Sequence, residues 1–155
     1  MTNYFDTSAL CRHYHQEPGS DVVDQVLAEA GATHIVSWLT VLETQSAFAV
    51  KVRTGEIAEE KLVGIRSRLR ADAVQRKLLV VRVLRRHYDR ADKLLQTYGP
   101  TIRLRTLDAL HLAIALDLQA QGRVQNLVTA DTAMSTVGKL EGLIILNPLS
   151  PTNGV

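Results

Sequence analysis

A three-layer α/β domain, a parallel sheet covered by helices on both faces, is what this chain of 155 residues predicts. Three features lead there. Short apolar runs recur along the chain, helical periodicity fills the stretches between them, and no repeat, low-complexity tract or linker divides the sequence. The length suits one domain, and 46% hydrophobic residues suffice for a real core. We place the domain over 1–147 and expect the tail 148–155, rich in Pro, Ser, Thr and Asn, to fray.

Met1 to Phe5 reads as a short buried strand, followed by helical sequence from about Thr7. Pro18-Gly19-Ser20 breaks the chain, and Val22, Val23, Val26 and Leu27 give the next helix its apolar spacing, up to Gly31. His34-Ile35-Val36 is the second strand candidate, and Thr40 to about Thr54 the helix after it. Beyond Gly55, Ile57 to Arg76 is helical again, and Leu78 to Val81 is the third strand candidate. A helix from about Arg86 to Tyr98 stops at Gly99-Pro100. Thr106 to Gln121 is the plainest helix, with Leu107, Leu110, Ile114 and Leu118 on one face and alanines for close packing. Asn126 to Thr129 and Leu143 to Leu146, separated by a short helix, complete five strand candidates.

Bulk chemistry narrows the function classes. The single cysteine, Cys11, cannot close an internal disulfide, the first residues lack a secretory pattern, and charges interrupt every apolar run. A cytoplasmic protein without membrane contact is expected. The five histidines show no metal-ligand spacing with cysteine, so no zinc site is expected. Net charge is only +2, yet nine Lys/Arg and two Asp/Glu fall between Arg66 and Arg90. Such a surplus attracts phosphates, or is simply a solvated face whose arginines shield apolar surface; the run alone names no partner. Trp38 and Phe48 are expected to fill the core or a helix groove, and His111 to pack or hydrogen-bond within the fold.

Ligands bind open α/β sheets beyond the carboxyl ends of the strands. Asp6 follows the first strand, Glu43 lies in the opening turn of the helix after the second, Asp108 opens the long helix, and Asp131 follows the fourth strand. Four acids on one rim repel one another unless protonated or bound to cations, and hard oxygen donors suit Mg2+ or Mn2+. Asp6, Glu43 and Asp108 are therefore expected to share one cation, with Asp131 bordering the same pocket. Each acid also has a local reading: Asp6 and Asp131 as N-caps, Glu43 at capping-box spacing from Thr40, Asp108 at the positive end of a helix dipole.

Those residues carry a resemblance. YFDTSAL with Asp6 and Ser8, SWLTVLETQSAFA with Glu43, LRTLDALHLAIAL with Asp108 and His111, and LVTADTAM with Thr129 and Asp131 resemble the PIN domain, from about Tyr4 to Asn147. Within that family the likeness is to VapC-type toxins of toxin–antitoxin pairs. The resemblance implies a Rossmann-like five-stranded parallel sheet and divalent-metal-dependent hydrolysis of RNA. It implies Asp6, Glu43 and Asp108 as catalytic metal ligands, with Asp131 joining directly or through water. Ser8 and Thr129 would orient the carboxylates, although capping or turn bonding also accounts for them; Arg103 and Arg105, just upstream of Asp108, either touch flanking phosphates or are solvated. A cognate antitoxin and a homodimer built on the helices after Gly19 and Thr40 are implied as well. One departure stands out: many relatives carry a further acid after the fourth, whereas Thr132, Ala133 and Met134 follow Asp131 here. Two other readings compete. One is a catalytically inactive PIN-fold module that binds RNA or protein. The other is a phosphatase with Asp6 as nucleophile, which wants a second Asp where Ser8 stands.

Overall fold

The structure, a computed structural model, describes residues 1–150. Five parallel strands, β1 (Thr2–Phe5), β2 (Thr33–Ser37), β3 (Leu79–Val81), β4 (Asn126–Val128) and β5 (Ile144–Leu146), form one sheet in the order β3-β2-β1-β4-β5. Seven helices connect them: α1 (Thr7–Tyr14), α2 (Ser20–Ala28), α3 (Trp38–Arg53), α4 (Glu59–Val74), α5 (Arg85–Tyr98), α6 (Thr106–Ala120) and α7 (Thr132–Leu140). The three-layer α/β expectation holds, with five strands, all parallel.

Strand alternation builds the layers. Successive side chains point to opposite faces of a sheet, so Tyr4, Ile35 and Leu127 enter one core with α5, α6 and α7. Phe5, Val36 and Val128, one residue further along each strand, enter the other with α1, α2, α3 and α4. In register Asn3 pairs with His34 and Asn126, and Tyr4 with Ile35 and Leu127, which keeps the alternation in phase across the central three strands. β1 lies in the centre, and the chain crosses from β3 on one flank to β4 on the other. The order therefore reverses at β1, and the crevice opens beyond its carboxyl end.

Three sequence readings change. α3 starts at Trp38, because Ser37 accepts from the Thr40 N–H while Thr40 reaches back to the Ser37 N–H. Glu43 thus sits in the second turn and takes no part in the cap. α6 is buried nearly all round, packed among the sheet, α5 and α7, so its single apolar face was too narrow a reading, and Leu107 is 43% exposed. Phe48 is core, whereas Trp38, 57% exposed, borders a groove of about 560 Å³ between α3 and α4. The tail expected to fray lies, from Pro151 onward, outside the described residues. Pro148 is buried against Gly19, whose positive φ of 86° starts α2 and where a Cβ would stand 2.7 Å from the Pro148 carbonyl oxygen.

Candidate active site

Asp6, Glu43, Asp108 and Asp131 line one cleft of about 290 Å³ at the carboxyl edge of the sheet, together with Thr7, Ser8, Arg105 and His111. Four separate segments deliver the acids: the β1–α1 junction, α3, the first turn of α6, and the β4–α7 junction.

Three of the acids also begin helices. The Asp6 carboxylate accepts from the Ala9 N–H at 2.9 Å and caps α1. Asp131 accepts from the Met134 N–H at 2.8 Å and caps α7. Asp108 accepts from the Arg105 N–H at 3.0 Å at the start of α6. The capping readings therefore hold for Asp6 and Asp131, and Asp108 does lie at a helix's positive end. Capping does not exclude a second role, because all three face the same cleft.

Asp6 is the most enclosed. Ser8 donates to both of its oxygens, at 2.9 and 2.8 Å, and Thr129 donates to Oδ2 at 2.9 Å. Both hydroxyls are themselves held: the Ala130 N–H donates to Ser8 and the Asp131 N–H to Thr129. Burial pushes the Asp6 carboxyl above its ordinary range, against the pull of His111 and of the bonds from Ala9, Ser8 and Thr129.

Glu43 has different partners. His111 Nε2 lies 2.5 Å from its Oε2, and the Thr7 hydroxyl donates to the same oxygen at 3.1 Å. His111 Nδ1 lies 2.9 Å from the Tyr4 hydroxyl, which also reaches Ser37. His111 thus stands between Glu43 and Tyr4, with one ring nitrogen toward each. Burial alone would raise the Glu43 pKa, but the bond and charge of His111, then Thr7 and Arg105, outweigh it and hold the carboxyl below its ordinary value. His111 does hydrogen-bond within the fold, as its sequence suggests. The sequence did not reveal that its partner is one of the four acids, 68 residues away.

The acids share the cleft without standing in a closed ligand set. Among the described residues no three His, Cys, Asp or Glu side chains stand together as a ready ligand set. Each acid is turned to a nearer partner, and Arg105 spans Asp108 and Asp131. The donor chemistry fits a hard divalent ion, since carboxylates dominate the cleft and its one sulfur, Cys11, is a buried thiol whose pKa burial raises.

Arg103 does not reach this cleft. It lines an adjoining one of about 640 Å³, which shares Arg105 and Asp131 with the first. His13 pairs with Asp24 at 2.6 Å and faces a separate cavity beside Asp72, away from the acids. The basic stretch is largely committed: Arg85, Arg86 and Arg90 pair with Asp89, Asp117 and Glu141. Arg66 and Arg70 line the groove beside Trp38. No helix among the described residues is long and apolar enough to cross a membrane.

No curated protein matches the sequence. Solved structures do match in fold. The Mycobacterium tuberculosis toxin VapC20, titled as cleaving the sarcin–ricin loop, superposes with a TM-score of 0.68 at 16% identity, over 94% of this chain and 99% of its own. A VapBC2 structure from Rickettsia felis, bound to a promoter DNA fragment, gives 0.63 at 17% identity over 95% and 98%. A Klebsiella pneumoniae toxin–antitoxin complex gives 0.61 at 18% identity over 94% and 97%. The family model described as "PIN domain" matches residues 4–140, from within β1 to the end of α7. This chain belongs to the PIN domain family.

Proposed function

We propose that this protein is a divalent-metal-dependent endoribonuclease that hydrolyses RNA phosphodiester bonds, and the toxin of a toxin–antitoxin pair. One observation carries the reading: acids from four separate segments meet on one cleft, at the sheet edge where the strand order reverses. Family membership and the likeness to toxin structures support it.

Asp6, Glu43 and Asp108 would hold Mg2+ or Mn2+, with Asp131 joining directly or through water. When bound, such an ion polarises the phosphate and makes a water nucleophile available near neutral pH. The chain's own groups do the positioning. Ser8 and Thr129 fix both oxygens of Asp6, so that its carboxylate cannot rotate out of the cleft. His111, braced by Tyr4, fixes Glu43. Arg103 and Arg105 would meet phosphates flanking the cut, offsetting repulsion between an acidic rim and an anionic substrate.

A cognate antitoxin and a second copy of the chain are the proposed protein partners. The exposed Trp38 and Leu42 on α3, with Val63 and Val74 on α4, support self-association through that face. The buried free thiol of Cys11 suits a reducing cytoplasm.

Cleavage of single-stranded and structured RNA, measured with Mg2+ or Mn2+, with chelator, and with Asp6→Asn, tests the proposal. Cleavage only by the wild type with metal is the expected result. A second reading, a PIN-fold module that binds RNA or protein without cutting, draws on the absence of a ready ligand set among the described residues. RNA bound but intact under every metal condition would establish that reading instead.

A further inference from the structure

Of the five carboxylates around the cleft, Glu17 pairs with Arg12 and Lys51, and Arg105 supplies a counter-charge to the remaining rim. Arg105 Nε lies 3.0 Å from Oδ2 of Asp108, and Nη2 lies 3.3 Å from Oδ1, a two-pronged pairing. The same Nη2 lies 3.4 Å from Oδ2 of Asp131. One guanidinium thus ties together two acids that arrive from different segments, the start of α6 and the start of α7. An arginine guanidinium keeps its charge throughout the working pH range, so this counter-charge is permanent. A guanidinium on both oxygens of Asp108 occupies lone pairs that a hard cation would use. This accounts for a cleft that has the acids for an ion but no ready ligand set.

We propose that Arg105 is the resident cation of the acid rim, bridging Asp108 and Asp131 until a divalent ion displaces it, and that the displaced guanidinium then takes the RNA phosphate. The exchange requires little movement. The Arg105 side chain is 69% exposed, so rotation about its own χ angles frees both carboxylates. The Arg105 backbone N–H keeps its bond to Asp108, so the start of α6 is undisturbed. Asp6 and Glu43 stay held by Ser8, Thr129, Thr7 and His111. A phosphate offers the same bidentate geometry as the carboxylate given up. Arg105 also lines the adjoining cleft with Arg103, which gives it a place beside the rim.

Metal and substrate are then linked. The ion releases Arg105 to the phosphate, and a phosphate that draws Arg105 away uncovers the acids, so each strengthens binding of the other by the same factor. This rests on the nuclease reading, and it adds that metal affinity is set by a side chain that is not a ligand.

The test is a Mg2+ titration of the full chain followed by ¹⁵N NMR, without RNA, on wild type, Arg105→Gln and Arg105→Lys. The Arg105 Nε–H signal, assigned by its loss in the Gln variant, should shift with the midpoint given by backbone amides around the cleft. Arg105→Gln should bind Mg2+ about fivefold tighter, the scale of a largely exposed ion pair. Lysine keeps the charge but cannot span two carboxylates, so Arg105→Lys should lie nearer the Gln variant than wild type. A cleavable RNA should show a raised KM with Arg105→Gln at saturating metal. Wild-type affinity in Arg105→Lys would reduce Arg105 to a contributor of field and overturn the bridge. Normal Mg2+ binding and RNA cleavage with an unmoved Arg105 signal would overturn this proposal alone. No Mg2+ binding by any variant would overturn it together with the metal-dependent reading.

Discussion

Replacing Asp6 by asparagine and by alanine separates what its charge does from what its shape does. The residue is 3% exposed, and its two oxygens accept from the Ala9 N–H and the hydroxyls of Ser8 and Thr129. Burial raises its folded pKa above the reference value of 3.8, so the native state holds this proton to higher pH than the unfolded chain does. The resulting stability is fully present below the unfolded pKa and is lost as pH rises through the folded one. Wherever Asp6 is ionised in the metal-free protein, its buried charge therefore opposes folding. Asparagine keeps an acceptor for the Ala9 N–H, and the two hydroxyls can turn lone pairs toward its amide. Alanine removes the cap, at about 1 kcal/mol, and strands the hydroxyl donors, at about 1–3 kcal/mol more. In a domain of this size each kcal/mol moves Tm by about 2–4 °C, so Asp6→Ala should melt roughly 5–15 °C below wild type in chelator. Asp6→Asn should melt at or above wild type at pH 7.5, with the gap closing on acidification through the folded pKa. Neither variant should cleave RNA. An asparagine variant that falls as far as alanine at pH 7.5 would refute the reasoning.

Three further outcomes are expected. His111→Ala leaves the Glu43 carboxylate and the Tyr4 hydroxyl without their partner and should cost about 2–3 kcal/mol in urea unfolding. Because Glu43 is held below its reference value of 4.5, its contribution exists above the unfolded pKa and is lost as pH falls through the folded one. The same variant should therefore flatten the acid limb of stability below about pH 5, and an unchanged limb would contradict the assignment. Trp38→Ala with Leu42→Asp should leave a monomer in sedimentation velocity, where wild type is expected to form a dimer burying roughly 800 Å² per partner; a wild type that stays monomeric at high concentration removes the premise. A cognate antitoxin that places a basic side chain on the acid rim should inhibit less as Mg2+ rises, and inhibition indifferent to metal would mean a steric block.

Much of the fold was legible because buried parallel strands are short, apolar and bounded by helical sequence. All five strand candidates overlap observed strands, each trimmed by a residue or extended to include its neighbours. Strand ends also position the residues that follow them, so local order was enough to put four acids on one cleft. Pairings between distant segments were not legible. Nothing in the spacing from Glu43 to His111, or from Arg105 to Asp131, says that the side chains meet; only the closed sheet brings them together. α6 failed as a periodicity reading because a helix enclosed by the sheet and two helices buries nearly every face, and its pattern blurs. Trp38 took the groove and Phe48 the core, because large aromatics are buried only where an element covers them, and at the start of α3 the groove beside α4 stays open.

The double duty of Asp6, Asp108 and Asp131 has an evolutionary edge. A helix start asks only for a small side chain with an oxygen in reach of the first free N–H groups, and serine or asparagine seals it about as well as aspartate. The proposed chemistry and the architecture are thus separable at these three positions by a change of a few atoms. A descendant that lost its chemistry would keep the same helices, the same sheet and the same cleft, and would be hard to tell from its parent by shape. Capping is indifferent to whether these positions hold a charge, and the buried charge of Asp6 opposes folding, so the helices they start do not explain the carboxylates.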